Sequence, residues 1–114
     1  MADYIVLTLD CTDTAVQRDF WCTALGYEVA GGGGPYIALG DPTGKLPKML
    51  LQQVPEPKTA KTRLHLDLHV ADPEAECTRL VAAGATRVER MDEFGQWWIV
   101  MHDPEGNEFC LVPS

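Results

Sequence analysis

The 114-residue sequence is poor in positive charge, contains no long apolar run and has no closely spaced pair of cysteines. Nine lysines and arginines stand against seventeen aspartates and glutamates, which gives a formal net charge of −8. Proteins that neutralise DNA or RNA phosphates need a cationic surface, so this deficit argues against nucleic acid as a partner. No stretch approaches the roughly 18 apolar residues of a membrane span, and the first residues lack the basic region of a signal peptide. The sequence therefore predicts a cytoplasmic protein without a membrane partner.

The four cysteines are widely spaced: Cys11, Cys22, Cys77 and Cys110. This spacing is not that of a zinc knuckle or of a thioredoxin-like redox motif. A chain of this size also does not need disulfides to be stable. We therefore expect reduced thiols, most of them buried.

An internal repeat is the strongest pattern in the sequence. Residues 5–13 (IVLTLDCTD) align with residues 64–72 (LHLDLHVAD), and the alternation of side-chain character predicts a strand in each. A helical pattern follows each strand, and a glycine stands after it. The Asp-Pro-x-Gly sequences at 41–44 and 103–106 each predict a tight turn between two hairpin strands. Residues 31–34, four glycines in a row, predict a flexible loop.

Each half of the chain therefore has the predicted order strand, helix and three strands. We predict an α+β fold in which two pseudo-symmetric βαβββ modules form a curved sheet around a cup-shaped cavity. The predicted boundaries within this single domain are residues 1–55 for module one, 56–62 for the linker and 63–114 for module two.

Several motifs carry a resemblance to a known family. The paired modules, Phe20-Trp21 followed by Leu25-Gly26-Tyr27, and the sequence DPEGN at 103–107 resemble the vicinal oxygen chelate superfamily. That superfamily contains glyoxalase I, extradiol dioxygenases and bleomycin-resistance proteins. Residues 54–58 (VPEPK), 64–68 (LHLDL) and 107–110 (NEFC) are similar to its small glyoxalase-like branch that is common in actinobacteria. The resemblance implies the fold, and it also implies a homodimer, because curved sheets with exposed edges usually pair in this superfamily. The fold alone does not determine a reaction.

The resemblance also implies four inward ligand positions in metal-using members, on the first and last strand of each module. The internal repeat assigns these positions to Val6, Gln52, His65 and Cys110, with Gln52 equivalent to Cys110. Valine cannot bind a metal, and the other three side chains form a mixed set of an amide oxygen, an imidazole nitrogen and a thiolate. Nickel, manganese and iron favour nitrogen and oxygen donors instead. We therefore expect no cofactor and no catalytic metal. If an ion is held, its ligands are expected to be Gln52, His65 and Cys110.

The candidate catalytic residues are His65, Asp67 and His69, which alternate along one predicted strand and so share one face. An imidazole beside a carboxylate is suited to proton transfer; the alternative is that these groups only satisfy one another. Of the adjacent Trp97 and Trp98, one is expected to face the cavity, where an indole can support a planar or cationic ligand. The predicted ligand-binding residues are Asp10, Gln52, His65, Trp97, Trp98 and Cys110.

Three functional hypotheses follow from these residues. The first is a protein similar to bleomycin-resistance proteins, which binds a small cationic or aromatic molecule in its cup without a catalytic metal. The second is a metal-free isomerase or lyase that uses the His/Asp pair. The third is a metal-dependent lyase or dioxygenase of the same superfamily. Whether the protein is an enzyme stays open at this point.

Overall fold

The computed structural model describes residues 1–114 and contains eight strands and two helices. The strands are β1 (Val6–Cys11), β2 (Glu28–Gly33), β3 (Tyr36–Gly40), β4 (Lys48–Gln53), β5 (Leu66–Val70), β6 (Thr86–Glu93), β7 (Gln96–His102) and β8 (Glu108–Pro113). The helices are α1 (Thr14–Leu25) and α2 (Pro73–Ala82). The order strand, helix and three strands occurs twice, which confirms the predicted α+β fold with two similar βαβββ modules. The chain divides into two compact units, Met1–Pro57 and Lys58–Ser114.

Each unit contains one mixed four-stranded sheet. The strand order is β1-β4-β3-β2 in the first unit and β5-β8-β7-β6 in the second. The first and last strands of each unit pair in parallel, and the remaining pairs are antiparallel. This topology places the side chains of the first strand directly beside those of the last strand, on the same face of the sheet. In the second unit it brings Asp67 next to Cys110.

The two helices begin at aspartate caps. The Asp13 carboxylate accepts hydrogen bonds from the backbone N–H groups of Ala15 and Val16 at 3.1 Å. The Asp72 carboxylate accepts one from Ala75 at 3.1 Å, and a proline occupies the first turn of α2. These side chains satisfy N–H groups that have no partner inside a helix, and such caps stabilise a helix by about 1 kcal/mol. Neither helix is long and apolar enough to cross a lipid bilayer.

One face of each sheet is covered by the helix of its own unit. In the second unit, α2 packs against β7 and β8, whose residues Ile99, Met101, Phe109 and Leu111 are at most 1% exposed. The Cys77 thiol of α2 lies 3.6 Å from the Met101 sulfur. Because strand side chains alternate between faces, residues 98, 100, 108, 110 and 112 lie on the other face, away from α2.

The predicted Asp-Pro-x-Gly turns are confirmed, and in both of them the aspartate holds the turn together. The Asp103 side chain is buried, and its carboxylate accepts hydrogen bonds from the backbone N–H groups of Glu105 and Asn107 at 2.9 Å. The Asn107 side-chain amide also donates to it, at 2.8 Å. Asp41 makes the corresponding bonds to Thr43, Lys45 and Leu46.

The glycine run was wrongly predicted as a loop. Gly31–Gly33 belongs to β2 and pairs with Tyr36, Ile37 and Ala38 of β3, after a bulge that follows Val29. A Cβ atom added at Gly32 would lie 2.5 Å from the backbone oxygen of Tyr36, and its φ is +151°. Glycine is therefore required at this position, because the two strands approach closely. A run of glycines has no alternation of apolar and polar side chains, so the sequence does not predict a strand there.

Candidate functional site

The face of the second sheet that is turned away from α2 lines a cavity of about 480 Å³. This volume falls in the range of small-molecule pockets, roughly 300–1,000 Å³. Its polar lining consists of Lys61, His65, Asp67, His69, Gln96 and Glu108. Its remaining wall consists of Trp98, Val100, Val112 and the thiol of Cys110. All ten residues belong to the unit Lys58–Ser114.

Five of the predicted site residues line this cavity: His65, Asp67, His69, Trp98 and Cys110. Asp10 and Gln52 do not; they are neighbours in the paired strands β1 and β4 of the first unit. Trp97 shares the opposite face of β7 with Ile99 and Met101, and the guanidinium of Arg90 lies 3.8 Å above its ring. Of the two adjacent tryptophans, Trp98 is therefore the one that faces the cavity.

The predicted equivalence of Gln52 and Cys110 is wrong. Thr8 corresponds to Asp67 in the repeat; Thr8 pairs with Leu50, whereas Asp67 pairs with Cys110. Leu50 therefore occupies the position in the first unit that Cys110 occupies in the second. The two last strands also end differently: β4 ends at Gln53, before Val54-Pro55, whereas β8 extends through Pro113.

His65, Asp67 and Cys110 form a cluster in the lining of the cavity. The His65 Nε2 atom lies 3.3 Å from an oxygen of Asp67, and the two side chains are 44% and 50% exposed. Cys110 is only 7% exposed. Burial and the neighbouring Asp67 carboxylate raise the pKa of the Cys110 thiol to about 11, against a smaller opposing effect of Lys61. At neutral pH the thiol is therefore protonated, which does not favour a role as a nucleophile.

This cluster is also the place where the chain could hold a metal ion. The potential ligand atoms of His65, Asp67 and Cys110 all lie within 4.8 Å of one another. A nitrogen, a carboxylate oxygen and a sulfur fit Zn²⁺, and three protein ligands would leave one position open for water or substrate. They do not form the set of nitrogen and oxygen donors that manganese or iron favours. Asp67 provides the third ligand atom of this set, and binding would require loss of the Cys110 proton. The predicted ligand Gln52 belongs to the first unit, whereas these three residues belong to the second.

A second polar cluster, which sequence reasoning missed, joins the segment before β5 to the start of β8. The Lys58 ammonium lies 3.2 Å from one Glu108 oxygen, and the backbone N–H of Thr62 donates to the other oxygen at 2.9 Å. The Lys58 and Glu108 side chains are only 21% and 15% exposed. Burial alone would raise the pKa of Glu108, but the hydrogen bonds from Thr62 and Lys58 outweigh it and lower the pKa to about 2. Glu108 is therefore ionised at neutral pH, and residues 58–62 are fixed beside the cavity.

The paired βαβββ modules and the cavity beside β5 and β8 define a protein of the glyoxalase-like class. A sequence model of the family described as "Glyoxalase-like domain" matches residues 6–112, and the chain belongs to this family. No functionally curated protein matches the sequence.

Solved structures share this fold at low sequence identity. A glyoxalase/bleomycin resistance protein/dioxygenase family enzyme from Burkholderia phytofirmans PsJN is 18% identical, with a TM-score of 0.81 and 98% of each chain covered. A superfamily member from Sphaerobacter thermophilus DSM 20745 is 21% identical, with a TM-score of 0.73 over 100% of this chain and 98% of the other. A glyoxalase-related enzyme from Fulvimarina pelagi is 16% identical, with a TM-score of 0.75 over 100% of this chain and 89% of the other. Likeness at this level establishes the fold and leaves the reaction to be argued from the site.

Proposed function

We propose that the protein binds a small aromatic molecule in the cavity beside Trp98, through direct side-chain contacts and without a catalytic metal. The observation that carries this proposal is that Trp98 and the His65–Asp67 pair line one cavity of about 480 Å³. A pocket of this kind, with an apolar wall and a few convergent polar groups, is the usual form of a small-molecule site.

The two sides of the cavity have different roles in this proposal. The Trp98 ring, with Val100 and Val112 beside it, offers an apolar surface on which a planar ring can stack. Aromatic contacts of this type contribute about 0.5–1.5 kcal/mol beyond the area they bury. His65 and Asp67 offer hydrogen-bonding groups that can orient the ligand. Both side chains of this pair are about half exposed, so they are accessible to a ligand from solvent.

The experiment is a titration with three related probes, namely naphthoate, naphthamide and naphthylmethylamine, followed by tryptophan fluorescence and calorimetry. At least one probe is expected to bind and to quench fluorescence. The chain has three tryptophans, so the Trp98→Phe and Trp97→Phe variants form a matched pair. Trp98→Phe is expected to lose most of the quenching and part of the affinity, whereas Trp97→Phe is expected to keep both. No binding by any probe at millimolar concentration, or full affinity in Trp98→Phe, contradicts the proposal.

A second candidate function is metal-free acid–base catalysis, and it is favoured by the 3.3 Å separation of His65 Nε2 and Asp67. A carboxylate beside an imidazole orients it and stabilises its protonated form, which suits proton abstraction next to a carbonyl group. Its test is NMR detection of hydrogen–deuterium exchange at carbons next to the carbonyl of small ketones and aldehydes. His65→Ala is expected to abolish any catalysed exchange, whereas His102→Ala, outside the cavity lining, is expected to retain it. Equal exchange rates in the two variants would remove this candidate.

A further inference from the structure

The balance of positive and negative charge at the cavity differs from that of the whole chain. Three of its lining residues carry a full charge at neutral pH, namely Lys61, Asp67 and Glu108. The Glu108 carboxylate is neutralised by Lys58, 3.2 Å away. The Asp67 carboxylate lies 3.3 Å from His65. Each acidic group of the cavity therefore has a polar neighbour within the protein, and only Glu108 faces an opposite charge.

Lys61 is the exception. No carboxylate lies within ion-pair distance of its ammonium group, although the chain forms six ion pairs elsewhere. Its side chain lines the cavity. Lys61 is therefore the one charged side chain of the cavity lining that has no hydrogen-bond or ion-pair partner within the protein.

The position of Lys61 is set by the residues around it. Lys58 and Thr62, on either side of it in the chain, both bind the Glu108 carboxylate, at 3.2 Å and 2.9 Å. The backbone N–H of Glu108 also donates to the Thr62 hydroxyl, at 3.4 Å. The segment that carries Lys61 is thus bound to the first residue of β8, while the flexible four-carbon side chain of Lys61 can still follow a ligand.

From this arrangement we propose that Lys61 recognises an acidic group, a carboxylate or a phenolate, on the aromatic ligand of the Trp98 cavity. The inference rests on the proposed function and names the ligand class more narrowly: a planar molecule with an anionic substituent. It also replaces the sequence-based expectation of a cationic ligand, which followed from the overall charge. That overall charge acts weakly at the cavity, because solvent-exposed charges are largely screened beyond about 8 Å at physiological ionic strength.

The same three probes test this proposal, because naphthoate is anionic, naphthamide is neutral and naphthylmethylamine is cationic. In the unmodified protein, naphthoate is expected to bind about fivefold more tightly than naphthamide, the effect of one partly exposed ion pair. Naphthylmethylamine is expected to bind more weakly than both. Lys61→Gln is expected to remove the advantage of naphthoate and to leave the affinity for naphthamide within about twofold.

Two further variants make the result specific. Arg63→Gln removes the same charge two residues away, at an exposed side chain outside the cavity lining, and is expected to keep the preference for naphthoate. Lys61→Glu is expected to reverse the preference in favour of naphthylmethylamine. Thermal unfolding of each variant confirms that it is folded.

The possible failures can be told apart. The inference about Lys61 is overturned by any of three results: equal affinities for the three probes, tighter binding of naphthylmethylamine than of naphthoate, or a preference for naphthoate that persists in Lys61→Gln. In those cases Trp98-dependent binding still supports the proposed function. Absence of binding by all three probes overturns the proposed function, and the role of Lys61 with it.

Discussion

The Asp67 carboxylate and the Cys110 thiol are register partners in adjacent parallel strands, and burial together with the Asp67 charge raises the pKa of the thiol to about 11. The thiol is almost fully buried, while the carboxylate is half exposed and lies 3.3 Å from His65. A single acidic side chain thus helps to keep the cysteine protonated and lies beside the histidine. This relationship places a neutral thiol in the wall of the cavity, and it can be tested directly.

We predict that Cys110 reacts with alkylating reagents only at strongly alkaline pH. Its thiol pKa is raised to about 11 by burial and by Asp67, from an ordinary value of 9.0. A rise of this size lowers the thiolate fraction at neutral pH by roughly a hundredfold. Asp67→Asn is expected to shift the alkylation profile toward lower pH, because the raising charge is gone. Peptide-resolved mass spectrometry of the metal-free protein measures the alkylation of Cys110 against pH in both proteins. A midpoint at or below pH 9 in the protein that retains Asp67 would contradict the prediction.

We predict that Glu108 stabilises the fold at neutral pH and loses this effect in acid. The folded-state pKa of Glu108, about 2, lies below its ordinary 4.5. Such a group stabilises the protein above its unfolded pKa, and the contribution disappears as pH falls from there through the folded pKa. Glu108→Gln is therefore expected to lower the free energy of unfolding by about 1–3 kcal/mol near neutral pH, and by progressively less toward pH 2.

Urea unfolding at several pH values measures this difference. Glu56→Gln serves as the control, because Glu56 is exposed and forms no ion pair. It is expected to change the free energy of unfolding by less than about 0.5 kcal/mol at any pH. A Glu108→Gln effect that does not vary with pH would show that the loss is one of packing rather than of charge.

We predict that the two similar turns tolerate loss of their aspartates unequally. Asp103 is 2% exposed, and its carboxylate accepts hydrogen bonds from the backbone of Glu105 and Asn107. Asp103→Ala leaves these partly buried donors without partners and is expected to cost about 2–4 kcal/mol. Asp41→Ala acts at a more exposed turn, where water can replace the carboxylate, and is expected to cost less than Asp103→Ala. Chemical unfolding compares the two variants, and equal losses would contradict the role assigned to burial.

We predict that ligand binding does not require a metal. The proposed contacts are made by Trp98, Lys61 and the His65–Asp67 pair, and none of them needs an ion between protein and ligand. The affinity of the protein for naphthoate is therefore expected to be the same before and after treatment with EDTA. A loss of affinity that Zn²⁺ restores would contradict this and would assign the cluster of His65, Asp67 and Cys110 to zinc.

Much of this fold was predictable because its determinants are local. The alternation of His65, Asp67 and His69 predicts that they share one face, and the two Asp-Pro-x-Gly sequences predict the two turns. The helical pattern that follows the first strand of each module predicts α1 and α2. In each case the signal lies within a few residues of the structure it produces.

The parts that could not be predicted depend on distant residues or on strand length. The contact between Lys58 and Glu108 joins residues separated by 50 positions, and no local sequence pattern predicts it. The register of β4 against β1 decided that Leu50, and not Gln52, is equivalent to Cys110. The adjacency of Trp97 and Trp98 predicted opposite faces, but only the packing of Ile99 and Met101 on the helix side showed which indole faces the cavity.

The most direct test of the central claim is a heteronuclear NMR spectrum of the indole N–H groups during titration with naphthoate. The chain contributes three such signals, from Trp21, Trp97 and Trp98. The account predicts that the Trp98 signal shifts in a saturable manner while the signals of the other two stay in place. A spectrum in which Trp97 or Trp21 shifts and Trp98 does not would contradict it.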